Sequence, residues 1–119
     1  MGMRQNIKMV YRDSLVDDTD KSATNEADVI YIYSHWDGED GESLMKSNLR
    51  HALVKGRERW GDESYLARII FQGIIGKDEG ITGYGLSPYE IGSNYPTIVV
   101  DLAGKTVDGV PFERFVNEL

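Results

Sequence analysis

The stretch that limits the fold most is residues 28–36, DVIYIYSHW, where aromatic and β-branched residues fill both alternating faces. A strand with two apolar faces is typical of a sheet that is covered on both sides. The two-residue period of a strand defines its faces as Tyr31, Tyr33 and His35 on one side and Ile30, Ile32, Ser34 and Trp36 on the other. We therefore predict a central strand that ends at His35 and Trp36, with His35 at a polar edge and Trp36 covering the helix-facing core.

The preceding residues predict a second strand and a loop. Residues 6–12 alternate Ile7, Met9 and Tyr11 with other residues, which is the pattern of a half-buried strand. Residues 13–27 carry many aspartates, serines and threonines and too few apolar residues to order themselves. We expect a mobile acidic loop there.

Two amphipathic helices are predicted after the central strand. The first has an apolar stripe of Met45, Leu49, Ala52, Leu53 and Gly56. Asp37 or Asp40 is expected to cap its start. The second begins at Asp62 as its N-cap and ends at Gly76, and its apolar face is Leu66, Ile69, Ile70, Gly73 and Ile74. The missing side chain of Gly73 is expected to let this helix approach the sheet closely.

The last third of the chain predicts three strands and a short helix. Residues 81–87 and 97–107 flank a connector that contains Pro and Gly, and Ala103-Gly104 is expected to turn the chain. Pro111 then opens a short helix with Phe112, Phe115, Val116 and Leu119 on one face. The whole chain, residues 1–119, is predicted to be a single α+β domain: a mixed sheet with two main helices packed on it and a short C-terminal helix.

Composition excludes several classes of protein and site. The 119 residues include no cysteine, which excludes disulfides, thiolate metal sites and a cysteine nucleophile. No run approaches the roughly 20 apolar residues of a membrane helix, and no secretion signal is visible. We therefore expect a cytoplasmic protein that does not insert into a membrane.

The net charge of −7 is unevenly distributed. Residues 43–60 carry five basic residues against one acidic residue, whereas residues 12–28 and 37–42 are acidic. The acidic total argues against a general nucleic-acid binder, and a local basic face suits a small anionic ligand or an acidic partner. Ion pairs within the chain, between the basic helix and the acidic segments, are an equally good interpretation.

Common motifs are absent. A calcium loop that starts at Asp37 would have Glu42 and Asn48 where an EF-hand needs glycine and glutamate. The glycines near Tyr84 do not form a dinucleotide fingerprint, and no phosphate-binding P-loop or nucleophile elbow is present. His35 and His51 have no metal-ligand spacing. We expect neither a metal nor a cofactor.

The candidate ligand-binding residues combine a strand-end histidine, aromatic rings that could stack on a base, arginines that could bind phosphate, and a glycine-containing loop. They are His35, Trp36, Arg57, Arg59, Trp60, Arg68, Thr82, Gly83 and Tyr84. Each also has a structural interpretation, since tryptophans often pack helices on sheets and arginines often pair with nearby carboxylates.

The pattern YSHWxG, RWxDxxYLARIIF, TGYGLS and YPxIVVD, at residues 33–38, 59–71, 82–87 and 95–101, resembles a family of small uncharacterised proteins of phages and actinobacteria. The resemblance covers most of the chain after residue 30. It implies a phage-like setting, in which small proteins often act as counter-defence factors that bind a host protein or sequester a nucleotide signal.

Three classes of function remain open. The first is a non-catalytic binder of a small anionic, nucleotide-like ligand. The second is a protein-binding inhibitor or accessory factor, with a host protein as its partner. The third is a small hydrolase or transferase that uses His35 with Asp101 at a neighbouring strand end, although no nucleophile accompanies them. We rank the classes in this order, and the sequence leaves homo-oligomerisation open.

Overall fold

The structure is a computed structural model that describes residues 3–11 and 28–118. Within these residues six strands form one mixed sheet in the order β3-β2-β1-β4-β5-β6, and β1 pairs with β4 in the parallel direction. The strands are β1 Gln5–Val10, β2 Val29–Ser34, β3 Tyr84–Ser87, β4 Ile98–Asp101, β5 Thr106–Val107 and β6 Val110–Pro111. The helices are α1 Leu44–Lys55, α2 Glu63–Ile75 and α3 Phe112–Val116, with a 3-10 turn at Arg57–Arg59. The predicted α+β fold is confirmed.

The sheet buries one face against the helices. The register places Ile7 opposite both Ile32 and Ile98, and these residues share a buried cluster with residues of α1 and α2. The other face of β2 carries Tyr31 and Tyr33, which are only half-buried. The second covering layer predicted for β2 is only partial among the described residues: Asn6, on the same face as Tyr33, is buried and bonds to the backbone of Ile91 in the connector before β4. The predicted acidic loop at residues 13–27 lies outside them.

The first helix is capped by a residue that the sequence did not single out. The Ser43 hydroxyl accepts a hydrogen bond from the Lys46 N–H at 3.0 Å, whereas Asp37 and Asp40 lie further upstream. The prediction of an aspartate cap is therefore wrong, because Ser43 directly precedes the helix and its hydroxyl reaches the N–H three residues further on. The predicted apolar stripe of α1 is confirmed by its burial.

The second helix matches its prediction except for Gly73. Asp62 caps the start by accepting from the Tyr65 N–H, and Gly76 ends the helix with a φ of 59°. A Cβ on Gly73 would lie 2.8 Å from the Cβ of Ala52. The glycine therefore permits close contact between α2 and α1, and the predicted approach to the sheet is wrong.

The C-terminal region contains one more strand than predicted. Asp108 and Gly109 have φ angles of 49° and 83° and turn the chain from β5 into the two-residue β6. The dipeptide Asp-Gly is a known signal for such tight hairpins. The helix after Pro111 forms and buries Phe112 and Phe115, whereas Leu119 of the predicted apolar face lies outside the described residues. Among the described residues, every helix falls short of the length and apolar character that a bilayer span requires.

Candidate functional site

The predicted strand-end site forms where β2 passes into the loop before α1. The Ser34 hydroxyl accepts a hydrogen bond from the Asp37 N–H at 3.0 Å, which bends the chain directly after the strand. The His35 N–H donates to the Gly83 carbonyl at 2.8 Å, and the Met45 N–H donates to the Asp37 carbonyl at 3.1 Å. These bonds fix the bend between the edge of the sheet and the start of α1.

Four ring side chains meet at this bend, and we call Tyr33, His35, Trp36 and Tyr84 the aromatic corner. The Tyr33 hydroxyl lies 2.8 Å from Nδ1 of His35, as expected for residues that share a strand face. The Trp36 ring contacts His35 edge to face, with centroids 5.8 Å apart, and Tyr84 in the same manner at 6.5 Å. Edge-to-face contacts at these distances are favourable for aromatic rings. The structure thus brings together His35, Trp36, Gly83 and Tyr84, with Thr82 exposed beside them.

The structure does not give Trp36 the predicted role as a cover over the core. Its side chain is 51% exposed, and it is absent from the buried cluster. The ring lies against Gly83, where a Cβ would come within 2.0 Å of Cζ3 of Trp36. The strand ends at Ser34, so the two-residue period that predicted an inward Trp36 no longer applies.

Tyr84 connects the aromatic corner to a carboxylate. Its hydroxyl donates to Oδ2 of Asp37 at 2.7 Å, and Asp37 is buried. Burial, this hydrogen bond and the negative charges of Asp37 and Asp78 raise the pKa of Tyr84 to about 12. Glu39 and Asp40 are exposed in the same loop and take part in no ion pair within the described residues. The surroundings of the corner are therefore negative, which disfavours an anionic ligand at this position.

The predicted arginines lie elsewhere. Trp60 donates its indole N–H to the Leu53 carbonyl at 2.8 Å, near the end of α1, whereas the aromatic corner adjoins the start of that helix. The guanidinium of Arg57 lies 4.6 Å from the Trp60 ring centroid and pairs with Glu113 at 2.5 Å. At 1.5 Å per residue, the 12-residue helix separates the two groups by roughly 18 Å. The nine predicted residues therefore do not form one site.

Arg59 contacts Tyr65, a residue that the sequence did not single out, and Arg68 lies on the same side of α2 as Tyr65. The Arg59 guanidinium lies 5.1 Å from the ring centroid of Tyr65, which is 50% exposed. Arg68 follows Tyr65 by three residues on α2, which places them on the same side of the helix, and it donates to Gln72. We call Arg59, Tyr65 and Arg68 the basic patch.

Part of the basic segment, residues 43–60, forms ion pairs within the chain. Arg50 is buried, donates to both carboxylate oxygens of Glu42 at 2.7 and 3.1 Å, and donates to the Phe115 carbonyl. Its guanidinium also lies 4.0 Å from the Phe115 ring centroid. Arg50 and Arg57 thus serve the fold by tying α1 and the turn after it to α3, whereas Arg59 and Arg68 form no ion pair within the described residues.

His35 and Asp101 lie at opposite ends of the sheet. The register pairs Val10 with both Asp101 and Val29, so Asp101 lies level with the start of β2, and His35 follows the end of that strand. At about 3.3 Å per residue, a six-residue strand separates them by nearly 20 Å. Asp101 instead accepts a hydrogen bond from the Gly104 N–H at 2.8 Å. The structure does not assemble this pair.

Sequence reasoning missed the roles of Tyr33, Asp37 and Tyr65. The strand period places Tyr33 on the same side as His35, but Tyr33 was not among the predicted site residues although its hydroxyl lies 2.8 Å from Nδ1 of His35. Asp37 and Tyr65 depend on contacts with Tyr84 and Arg59, which no local pattern reveals. In the described part of the chain, no group of three or more histidine or carboxylate side chains is placed to hold a metal ion.

Comparisons with protein-family models, with curated proteins and with solved structures find no match to this chain.

Proposed function

We propose that this chain is a non-catalytic binding protein and that its aromatic corner contacts a partner protein. The observation that carries the proposal is a concentration of exposed large apolar side chains around β3. Ile81, Leu86 and Tyr89 lie on β3 or within three residues of its ends, and they are 101%, 56% and 68% exposed. Trp36 lies against Gly83, directly before the strand. Clustered apolar groups of this kind mark interaction surfaces in soluble proteins.

The geometry around His35 supports binding over catalysis. Its ring nitrogen Nδ1 contacts the Tyr33 hydroxyl, and its other neighbour is the Trp36 ring. Among the described residues, neither serine nor threonine makes a hydrogen bond to this histidine, and Asp101 is at the far end of the sheet. A general base without a nucleophile to activate favours a structural or contact role.

The resemblance to phage proteins supports a host cytoplasmic protein as the partner, in a counter-defence setting. A capture experiment from an actinobacterial lysate tests this, with Trp36→Ala as the site variant and Val54→Ala as its control. Val54 on α1 is 52% exposed and therefore matches Trp36 in exposure. We expect one host protein to be enriched on the wild type and on Val54→Ala and to be lost on Trp36→Ala. Equal capture by all three chains, or no enriched protein, would contradict the proposal.

A phosphate-bearing small ligand at the basic patch is the second candidate function. Arginine guanidinium groups bind phosphate, and the exposed ring of Tyr65 beside Arg59 offers a surface on which a base can stack. Mass spectrometry of molecules released on denaturation tests this candidate. We expect a phosphorylated molecule from the wild type and from Arg114→Gln, and none from a variant with both Arg59→Gln and Arg68→Gln. A wild type that releases no phosphorylated molecule argues against this candidate.

A further inference from the structure

The strand β3 lies at the edge of the sheet and presents backbone groups that no described strand uses. Its one neighbour in the described sheet is β2. The bond from the His35 N–H to the Gly83 carbonyl marks these two residues as a hydrogen-bonded pair of an antiparallel ladder. Because such pairs alternate, Gly85 and Ser87 also face β2, and the N–H and C=O groups of Tyr84 and Leu86 point away from it.

This edge has few of the features that protect sheet edges. Strand edges are commonly blocked by lysines, prolines or bulges; β3 carries none of them between Tyr84 and Ser87, and Pro88 limits the open edge to these four residues. A Cβ on Gly85 would meet nothing within 4 Å, so the face of the sheet that carries Tyr33 is open above β3. Leu86 shares the helix side of the sheet with Ile32 and is nevertheless 56% exposed. The helices therefore leave Leu86 uncovered, whereas Tyr84 packs partly against the core and Ser87 is buried.

Charge favours one occupant of this edge. Glu39 and Asp40 are exposed in the loop that contains Asp37, and Asp78 acts on Tyr84 from the segment before β3. A second copy of the chain that added its own β3 would bring the same negative groups together, which costs free energy. A basic partner would instead be attracted and oriented by them.

We propose that β3 accepts an extended basic segment of a partner protein as a seventh strand of the described sheet, paired with the backbone of Tyr84 and Leu86. This inference rests on the proposed function, partner binding at the aromatic corner. Main-chain hydrogen bonds would supply affinity, as in other complexes formed by strand addition. Apolar side chains of the segment would contact Leu86 and Trp36, and its lysines or arginines would lie near the acidic loop.

The test uses a peptide of alternating lysine and valine as the probe, with an alternating glutamate and valine peptide as its charge control. NMR-detected amide exchange reports strand addition directly. We expect the lysine peptide to slow exchange of the Tyr84 and Leu86 amides, while Gly85 and Ser87 change little because β2 already protects them. The glutamate peptide should leave all four unchanged.

Two variants separate backbone pairing from charge. Leu86→Pro removes an outward N–H without removing a bond to β2, and we expect it to abolish protection at Tyr84. Glu39→Lys combined with Asp40→Lys should weaken binding of the lysine peptide roughly tenfold. Glu58→Lys, an exposed carboxylate in the turn after α1, is the matched control and should have little effect. If Leu86→Pro fails to fold, the charge variants still decide.

The outcomes also distinguish this inference from the function on which it depends. No binding of the lysine peptide, or binding without protection at Tyr84 and Leu86, overturns strand addition. A host protein that is captured through Trp36 but leaves these two amides unprotected supports the proposed function and overturns the inference. Dimerisation of the isolated chain with the same protection pattern would show that a second copy is the occupant and would likewise overturn it.

Discussion

The two tryptophans lie at opposite ends of α1, and the fold uses them differently. Trp60 donates its indole N–H to the Leu53 carbonyl, and its ring meets Phe112 edge to face at 5.3 Å. Trp36 makes no hydrogen bond through its indole N–H within the described residues, and its ring lies half exposed on Gly83. An indole that packs into the fold usually finds a partner for its N–H, as Trp60 does, whereas the 51% exposed Trp36 is under no such requirement.

The charges around the two rings differ as well. Arg57 covers Trp60 and pairs with Glu113 of α3, so that end of α1 is closed by contacts within the chain. Trp36 faces a loop whose exposed Glu39 and Asp40 form no described ion pair. The comparison shows that a tryptophan at the end of an element has no fixed role. Its role depends on which residues, distant in sequence, pack against its ring and accept a hydrogen bond from its N–H.

The largest effect on stability is expected from the loss of Trp60, at the end of α1 that contacts within the chain close. Trp60→Ala removes the contact with Phe112 and the bond to Leu53, and we expect it to lower the free energy of unfolding by about 3 kcal/mol. Trp36→Ala removes a half-exposed ring and should cost about 1 kcal/mol. Urea unfolding of both variants measures the difference. Equal costs would show that Trp36 is as much a part of the core as Trp60.

The packing contact between Trp36 and Gly83 gives a second test. Gly83 has a φ of 101°, which side chains rarely adopt, and its Cβ would collide with the Trp36 ring. We expect Gly83→Ala to cost about 2 kcal/mol and to displace the ring. Tryptophan fluorescence in a Trp60→Phe background reports the displacement.

Gly85→Ala is the matched control for this substitution, because a Cβ there meets nothing within 4 Å. We expect it to change stability little and to leave the Trp36 fluorescence as in the wild type. A cost at Gly85 as large as that at Gly83 would mean that loss of glycine flexibility, and not the Trp36 contact, governs this edge.

Much of the fold could be predicted because its signals are local. The periodicity of α1 and α2, the Asp62 cap and the alternation in β1 depend on residues a few positions apart. The order of the strands depends on long-range pairing and could not be read from the sequence. Gly73 was assigned to the sheet and contacts Ala52 of α1 for the same reason, since a missing side chain does not specify its neighbour.

Less of the candidate site could be predicted. His35 and Tyr84 lie at one corner because the His35 N–H donates to the carbonyl of Gly83, the residue before Tyr84, and this long-range contact has no local signal in the sequence. Arg57 and Trp60 do not lie at the aromatic corner, because the length of α1 separates them from it. The sequence gives charge and ring type, but it does not give the distance between elements.

Tyr84 provides a prediction about pH. A folded-state pKa of about 12, above the ordinary value of 10.0, means that the protonated hydroxyl stabilises the folded chain. This contribution is complete below about pH 10 and is lost as the pH rises through the folded-state pKa. Tyr84→Phe removes the bond to Asp37 and should cost about 1 kcal/mol near neutral pH. The difference in stability between wild type and variant should shrink between pH 10 and 12.

Tyr89→Phe is the control for this pH dependence, because Tyr89 is 68% exposed. Its stability should follow that of the wild type across the whole range. Tyr11, whose pKa burial and Glu63 also raise, is present in all three chains and cancels from the comparison. A constant difference between wild type and Tyr84→Phe up to pH 12 would contradict a Tyr84 pKa that burial, the hydrogen bond to Asp37 and the charges of Asp37 and Asp78 raise to about 12.

The smallest effect is expected at the ion pair that covers Trp60. Arg57 and Glu113 are 48% and 64% exposed, so solvent screens their attraction. We expect a double-mutant cycle of Arg57→Gln and Glu113→Gln to give a coupling of at most about 0.5 kcal/mol. The pair Arg114–Glu118, four residues apart and also exposed, is the matched control and should give a similar value. A coupling several times larger for Arg57–Glu113 would mean that charge holds the Trp60 end closed. In that event the difference in stability cost between Trp60→Ala and Trp36→Ala would depend on electrostatics. The loss of unfolding free energy caused by Trp60→Ala should then fall at high salt.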